Sequence, residues 1–456
     1  MSSVRTFGAT GDGKTDDTAA IQHAVNDGDG LLRFPPGQYR ISKSIQIDLT
    51  QRGPIGIEGS GGTAKILMAG PGPALRLVGS HGGTGDPGSV KPEIWTSQRL
   101  PTIQNIEIQG AHPEADGIEL IQTMQSVFEG VLIHQVRNGI RLFQRNRNVL
   151  ISHCHIYNNT GVGVFLDQVN LHQINIASNH ISYNRLGGIR IEKSEVRNLQ
   201  ITGNDIEYNN HRAHGTDPQP TAEIYIDTSA EKASVNEITI ASNTIQATFS
   251  PGGSNIFIRE MGSHDRPPGL WAISGNIIGS QENNVHLVGC YGVVLSGNCI
   301  YSCSNRNLLL ENCRQINVGG NSFRRHTPTM GTGIRLVKST DCVLHGCTIR
   351  DEAAEGQVSQ ASLLELEQCA RINVQGCQMV DPAPYGIDVN QSDHINISGC
   401  TVMDTREKPI MKGCIRFRGP GRGNLITAST LGAPQKEALQ LDPAAGTTTA
   451  NNQLGR

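Results

Sequence analysis

The chain is poor in aromatic side chains, poor in charge and lacks long apolar runs. Aromatics are 4% of 456 residues and hydrophobic residues 37%. A core built around a few large rings is therefore excluded, and burial has to come from many small or aliphatic side chains. Charged residues are 17%, and 38 basic against 41 acidic residues leave a formal charge of −3. That balance, without charge runs, argues against nucleic acid as a partner. No stretch approaches the ~18 apolar residues of a bilayer-spanning helix, so no membrane partner is expected. Residues 1–30 show no basic start followed by an apolar core, so no signal peptide is read. Thiols without a leader fit a cytoplasmic protein, whereas a removed leader would make it secreted or periplasmic; localisation stays open. The cysteine spacings, such as Cys299–Cys303 and Cys342–Cys347, lack the CxxC and paired-His pattern of a zinc site. Buried thiols acting as small hydrophobes are the expectation for all eleven.

Glycine is abundant, at 53 residues, and the length would suggest about three domains at ~150 residues each. A repeat overrides that quotient. Apolar-x-x-(Asn or Cys)-x-apolar recurs as Ile151-Ser-His-Cys154-His-Ile156, Ile176-Ala-Ser-Asn179-His-Ile181 and Ile201-Thr-Gly-Asn204-Asp-Ile206. It returns around Asn243, Asn276, Asn298, Asn321, Cys347, Cys377 and Cys400, in a basic unit of 22–25 residues with insertions. A second signature accompanies it: Gly-Ile-Glu-Leu at Gly117, Gly-Ile-Arg-Leu at Gly139, Gly-Val-Phe-Leu at Gly163 and Gly-Ile-Arg-Ile at Gly188. Period-2 alternation over three to five residues predicts strands too short to bury themselves, which must stack on their neighbours. Three short strands per turn make a single-stranded parallel β-helix of about a dozen coils. Asn at the repeated position is expected to supply the left-handed corner and to stack as a ladder. Cys290, Cys313, Ser339, Cys369 and Ser392, each eight residues earlier, predict an internal column of small side chains.

The segment Gly8-Ala-Thr-Gly-Asp-Gly13-Lys14-Thr15 satisfies the phosphate-binding loop expression. That motif needs a doubly wound parallel sheet, which repeats of 22–25 residues do not provide. A turn at Asp12-Gly13 and a helix over 16–25, capped by Asp16 and Asp17, is the better reading.

The same stretch, Val4-Arg-Thr-Phe-Gly-Ala-Thr-Gly-Asp-Gly-Lys-Thr-Asp-Asp-Thr-Ala-Ala-Ile-Gln-His-Ala, with Leu32-Arg-Phe-Pro-Pro-Gly-Gln-Tyr-Arg-Ile-Ser, resembles the amino-terminal segment of the pectate-lyase-like superfamily. That group includes polygalacturonases, pectate lyases, inulin fructotransferases and tailspikes. The resemblance implies a right-handed all-β helix with an amino-terminal capping helix, and a polysaccharide or oligosaccharide substrate. The chain then divides into a cap over 1–45, the β-helix over 46–430 and a tail over 431–456.

Outward positions on the Gly-Ile-x-Ile strands are the candidate site. Stacked ~4.8 Å apart, Asp167, Glu192 and Asp227 form a column of carboxylates between Phe143 and Arg259. Arg141, Arg190, Tyr225, Phe257 and His286 occupy the adjoining column, and Glu223 is read as a groove wall. Like charges so close require a cation or a shared proton, which is how carboxylates acquire acid–base pKa values. The two longest insertions, holding His211, His214 and Asp217, and His264, Arg266 and Trp271, offer cleft walls.

Three functions stay open. Carboxylate chemistry on a glycosidic bond, by hydrolysis or glycosyl transfer, needs two acids ~5–5.5 Å or ~6.5–9.5 Å apart and no cofactor. The catalytic candidates are Asp227, Glu192, Asp167 and Glu223; Arg190, Tyr225, Arg259, Phe257, His286 and Arg141 would bind the sugar. A polysaccharide lyase would instead use Arg190, Arg259 or His286 as base beside a uronate, with Ca²⁺ held by the carboxylates. The third is a non-catalytic, trimeric tailspike-like fibre. Polygalacturonase signatures are missing: there is no Asn-Thr-Asp and no Gly-His-Gly.

Overall fold

The computed structural model describes residues 2–210, 221–259, 269–353 and 361–455. They form two compact units, residues 1–239 and 240–456. Each is wound from short strands that pair in parallel with the strand one coil away, so each is a parallel β-helix. In the first unit Ile189–Glu192 follows Val164–Ala177, and Asp205–Glu207 follows His180–Ser182, rung upon rung. In the second, Ile334–Val337, Leu364–Glu367, Tyr385–Asn390 and Gly413–Arg418 climb one face. Within 431–456 the strands Leu439–Leu441, Thr447–Ala450 and Gln453–Leu454 pair with the coil before them.

Alternation decides what is buried. On the strands carrying the glycine signature, Ile118 and Leu120, Ile140 and Leu142, Val164 and Leu166, Ile189 and Ile191, and Ile224 and Ile226 are buried and stack in columns. Each aliphatic side chain removed from water contributes roughly 1.5–3 kcal/mol. Repetition thus builds a core without the large rings the composition lacks.

Asparagine runs through that core, though not as expected. Asn179 Nδ2 donates to Asn204 Oδ1 at 3.0 Å and to Ile151 O at 3.0 Å. Asn243, Asn276, Asn298 and Asn321 form the same chain of amides at 2.9–3.0 Å. The left-handed residue is the one before: Ser178, Gly203, Ser242, Gly275, Gly297 and Gly320 have φ between 57° and 65°. Two jobs are split between neighbours, because an Asn bonded to both flanking rungs has no freedom left to turn the chain. Further up the second unit the same column continues as cysteine, with Cys400 N donating to Ser429 Oγ. The second column is also present: Cys313 N donates to Ser339 Oγ and Cys369 N to Ser392 Oγ. All eleven cysteines are thiols, ten buried and Cys299 exposed. Burial pushes Cys369 up to about 11 and Cys342 to about 12.

The amino-terminal helix runs Thr18–Asp27, two residues later than expected. Asp16 receives the Thr18 N–H and hydroxyl and so caps it. Asp17 turns away. Its buried carboxylate accepts from Thr10 N, Thr10 Oγ1 and Gly11 N at 2.7–3.0 Å. The amides a phosphate would need in that glycine loop are therefore held by the chain's own carboxylate. Gln22 of the helix both donates to Gln46 O and accepts from Gln46 N, replacing a neighbouring strand at the edge of Ile45–Asp48. No helix among the described residues is long and apolar enough to cross a membrane.

Candidate functional site

The expected columns have the expected register. In the first unit Asp167 pairs with Glu192 and Glu192 with Asp227, while Arg190 pairs with Tyr225. Asp227 points outward beside buried Ile226, so the strand has not slipped after the long insertion. What the column does is different from the expectation. Arg141 donates Nη2 to Asp167 Oδ2 and Nη1 to Glu119 Oε2, both at 2.6 Å, and Arg76 Nε reaches Glu119 Oε1 at 2.7 Å. Arg190 Nη2 donates to Glu192 Oε1 at 2.7 Å and its guanidinium lies 4.3 Å over the Tyr225 ring. Tyr225 in turn donates its hydroxyl to Asp227 Oδ2 at 3.3 Å, and Ser229 N donates to Oδ1 at 2.8 Å. Arginines reach these acids along a rung, as Arg190 does to Glu192, or across to the next, as Arg141 does to Asp167, so like charges are relieved by guanidinium. Asp167 and Glu192 are thus ion-paired to arginine, and Asp227 accepts from Tyr225 and Ser229. Among the described residues no group of three or more His, Cys, Asp or Glu is placed to hold a metal.

Glu223 is not a groove wall. It is fully buried and ends a second amide ladder, in which Asn159 donates to Asn184, Asn184 to Asn209, and Asn209 N and Nδ2 to the Glu223 carboxyl at 2.7–3.0 Å. Alternation between outside and inside starts only at Ile224; the residue before it belongs to the corner and faces in. Asn255, just before Ile256 in the second unit, is buried in the same manner and donates to Asn284. Burial pushes the Glu223 carboxyl well above the usual range, against the lowering hydrogen bonds from Asn209.

Phe257, His286 and Arg259 lie in the second unit. His286 shares a 2.6 Å hydrogen bond with Glu311, meets Phe257 edge-on at 5.3 Å, and is lowered by burial. Arg259 stands 5.3 Å from the Phe257 ring. Of the residues expected to wall a cleft, His211, His214, Asp217, His264 and Arg266 lie outside the described residues. Trp271 is buried in a strand paired to Val293–Ser296, hence a core residue and no wall.

A cluster that the sequence reading passed over sits on another face of the first unit. The three-residue strands His155-Ile-Tyr157, His180-Ile-Ser182 and Asp205-Ile-Glu207 each bury the central Ile and turn both flanking side chains outward. His155 and His180 stack at 5.0 Å with rings 6° apart, and His180 Nδ1 lies 3.2 Å from Asp205 Oδ2. Tyr183 and Tyr208 stack at 5.4 Å beside them. Asp205 and Glu207 face the same way two residues apart, and among the described residues no guanidinium joins them. Burial, then the Asp205 charge, then a hydrogen bond to Asp205 together push the Glu207 carboxyl up to about 7. Asp205 Oδ1 is buried and receives no hydrogen bond from the described residues. Chemically this is a pair of carboxyls, one of them pushed up to about 7, with a histidine on one side and flat rings beside it. The signal was visible as His, His, Asp directly after Cys154, Asn179 and Asn204.

Residues 93–256 and 222–402 match the family model described as right handed beta helix region, and residues 1–73 match rhamnogalacturonase A/epimerase, pectate lyase-like. Mannuronan C5-epimerase AlgE6 of Azotobacter vinelandii is 35% identical over 83 residues, 17% of this chain and 10% of that protein. Alginate lyase 7 of the same organism is 54% identical over 43 residues, 9% and 5%. The chain thus spans about a tenth or less of these relatives. The solved Dettilon tailspike protein superposes with a TM-score of 0.51 over 92% of this chain and 70% of that one, at 14% identity, a likeness of fold.

Proposed function

Since the chain belongs to the right-handed β-helix family, we propose that it acts on a polysaccharide through carboxyl acid–base chemistry, with Glu207 and Asp205 as the working pair. The observation that carries this is the pair of neighbouring carboxyls on the histidine-lined face, where burial and then the Asp205 charge push the Glu207 carboxyl up to about 7. Cleavage or transfer at a glycosidic bond needs one carboxyl that donates a proton to the leaving oxygen and a second carboxylate close by. Glu207 supplies the proton to the leaving oxygen, while Asp205, aligned by His180, takes a proton from the water that attacks the anomeric carbon, so the carbon–oxygen bond broken is matched by the one formed. Tyr183 and Tyr208 offer rings on which a sugar can stack. The ion-paired column of Asp167 and Glu192, with Asp227 above it, is given the lesser role of holding rungs together and lining the neighbouring surface.

A second chemistry at the same pair is proton abstraction beside a uronate carboxylate, as in a lyase or epimerase. It is favoured by the short stretches of likeness to a mannuronan C5-epimerase and an alginate lyase, with His180 as base. The assay separates them. Wild type, Glu207→Gln and Asp227→Asn would be run over neutral and uronate polysaccharides, following new reducing ends and absorbance of unsaturated uronates. Reducing ends alone mean hydrolysis, absorbance a lyase. Full activity in Glu207→Gln would refute the assignment. Binding without turnover in wild type would favour the tailspike-like alternative, whose trimer sedimentation would detect.

A further inference from the structure

A third face of the first unit carries a groove of about 710 Å³, within the size range of ligand sites. It is built from two columns two residues apart in sequence on four coils. One column is Val127, Leu150, Asn175 and Gln200, paired rung to rung. The other, at the preceding corner, is Gln125, Asn148, Gln173 and Asn198, each in the left-handed region with φ of 53–67°. Holding a non-glycine residue there on every coil costs energy, yet the corner repeats and its carboxamides edge the groove. Among the described residues nothing hydrogen-bonds the side-chain amides of Gln125, Gln173, Asn175 or Gln200. Leu100 and Leu150 are 56% and 43% exposed beside them. Arg99, at one end, is the only ionisable residue among the described residues that line the groove.

We propose that this groove is a binding site for an uncharged oligosaccharide, separate from the acid–base pair. Carboxamides donate and accept at once, as sugar hydroxyls do, and lack the charge that would select a uronate. Exposed Leu100 and Leu150, with half-buried Val127, suit the C–H faces of a pyranose. The rungs repeat every ~4.8 Å, close to the advance of one sugar ring, so successive rings meet successive amides. The four rungs span about 14 Å, three such steps, enough for a short stretch of chain. Such a site anchors a polymer while chemistry proceeds on another face.

The test is affinity electrophoresis of the full chain through gels carrying dextran, β-1,3-glucan, galactomannan or, as the charged control, polymannuronate. At least one neutral polymer should retard wild type and polymannuronate should not do so through this face. Gln173→Ala with Gln200→Ala, both exposed positions, and separately Leu150→Asp should each weaken retention by about tenfold or more, as lost hydrogen-bonding or stacking contacts do. Lys436→Gln, an exposed change in the second unit, should keep it; turnover followed on the same groove variants keeps failure here distinct from failure of the catalytic reading. Circular dichroism melting confirms that each variant is folded. The proposal is overturned if no neutral polymer retards the protein, if the groove variants are retained like wild type, or if Lys436→Gln abolishes binding. It is equally overturned if Leu150→Asp changes only the sedimentation coefficient, since the groove would then be a contact between copies.

Discussion

Acidic residues are stacked on two outward faces of the first unit, and the surroundings treat them differently. On one face Glu119 and Asp167 share Arg141, and Glu192 takes Arg190. On the other, Asp205 and Glu207 have each other and one histidine. The second unit repeats the first arrangement: Arg335 bonds Glu367, Arg306 bonds Glu365, and Arg416 and Arg418 both bond Asp388. There burial alone would raise Asp388, but the two guanidiniums hold it below the usual carboxylate range. A motif found in both units is a device of stacking. An acid pair that meets no arginine among the described residues is the exception, and groups perturbed in that way cluster at sites of chemistry.

The comparison breaks first, and most visibly, in turnover. Glu207→Gln should lower kcat by ~10²–10⁴, the usual worth of a positioned proton donor, with an unchanged melting curve. Next comes Asn184→Leu, in the buried ladder beneath. It strands the amide of Asn159 and the carbonyl of Ile156, and chemical denaturation should show a loss of several kcal/mol at about 1–3 kcal/mol per unmet group. Arg141→Met is a smaller effect of opposite character: roughly 1–3 kcal/mol less stable, because two shielded carboxylates lose a charged donor, while kcat holds. A fall in kcat by orders of magnitude there would move the chemistry back to the arginine-paired face.

The repeat was legible from the sequence because alternation and stacking depend on nearest neighbours. It placed Asp167, Glu192 and Asp227 on consecutive rungs, and the thiol column too. The meaning of the acids was not legible, because it rests on diagonal reach: Arg141 was read in its own column, whereas its guanidinium lies between Glu119 and Asp167. Glu223 was misplaced because alternation stops at a corner, and there the buried amide ladder sets the direction. Asp205 and Glu207 were passed over since three-residue strands carry too little pattern to show a face until their histidine neighbours are stacked against them.

The smallest effect is in the pH dependence of stability. A carboxyl whose folded value is raised stabilises the fold fully only below its unfolded value, and that stability drains away as pH rises toward the folded value. Glu223, and Glu207 up to about 7, are both of this kind. Urea unfolding of wild type should therefore give stability that falls as pH climbs from the ordinary glutamate range to neutrality. Glu223→Gln, unable to ionise, should flatten part of that slope, and an unaltered slope would mean the ladder ends on a carboxylate already charged.

One measurement bears on the central claim without knowledge of the substrate: a titration of carboxyl carbon resonances in ¹³C-labelled protein, wild type against Asp205→Asn. The account predicts a glutamate resonance, lost in Glu207→Gln, that titrates near pH 7 and shifts downward in Asp205→Asn, where the neighbouring charge is gone but burial remains. A Glu207 carboxyl titrating in the ordinary range below pH 5, indifferent to Asp205, would contradict it.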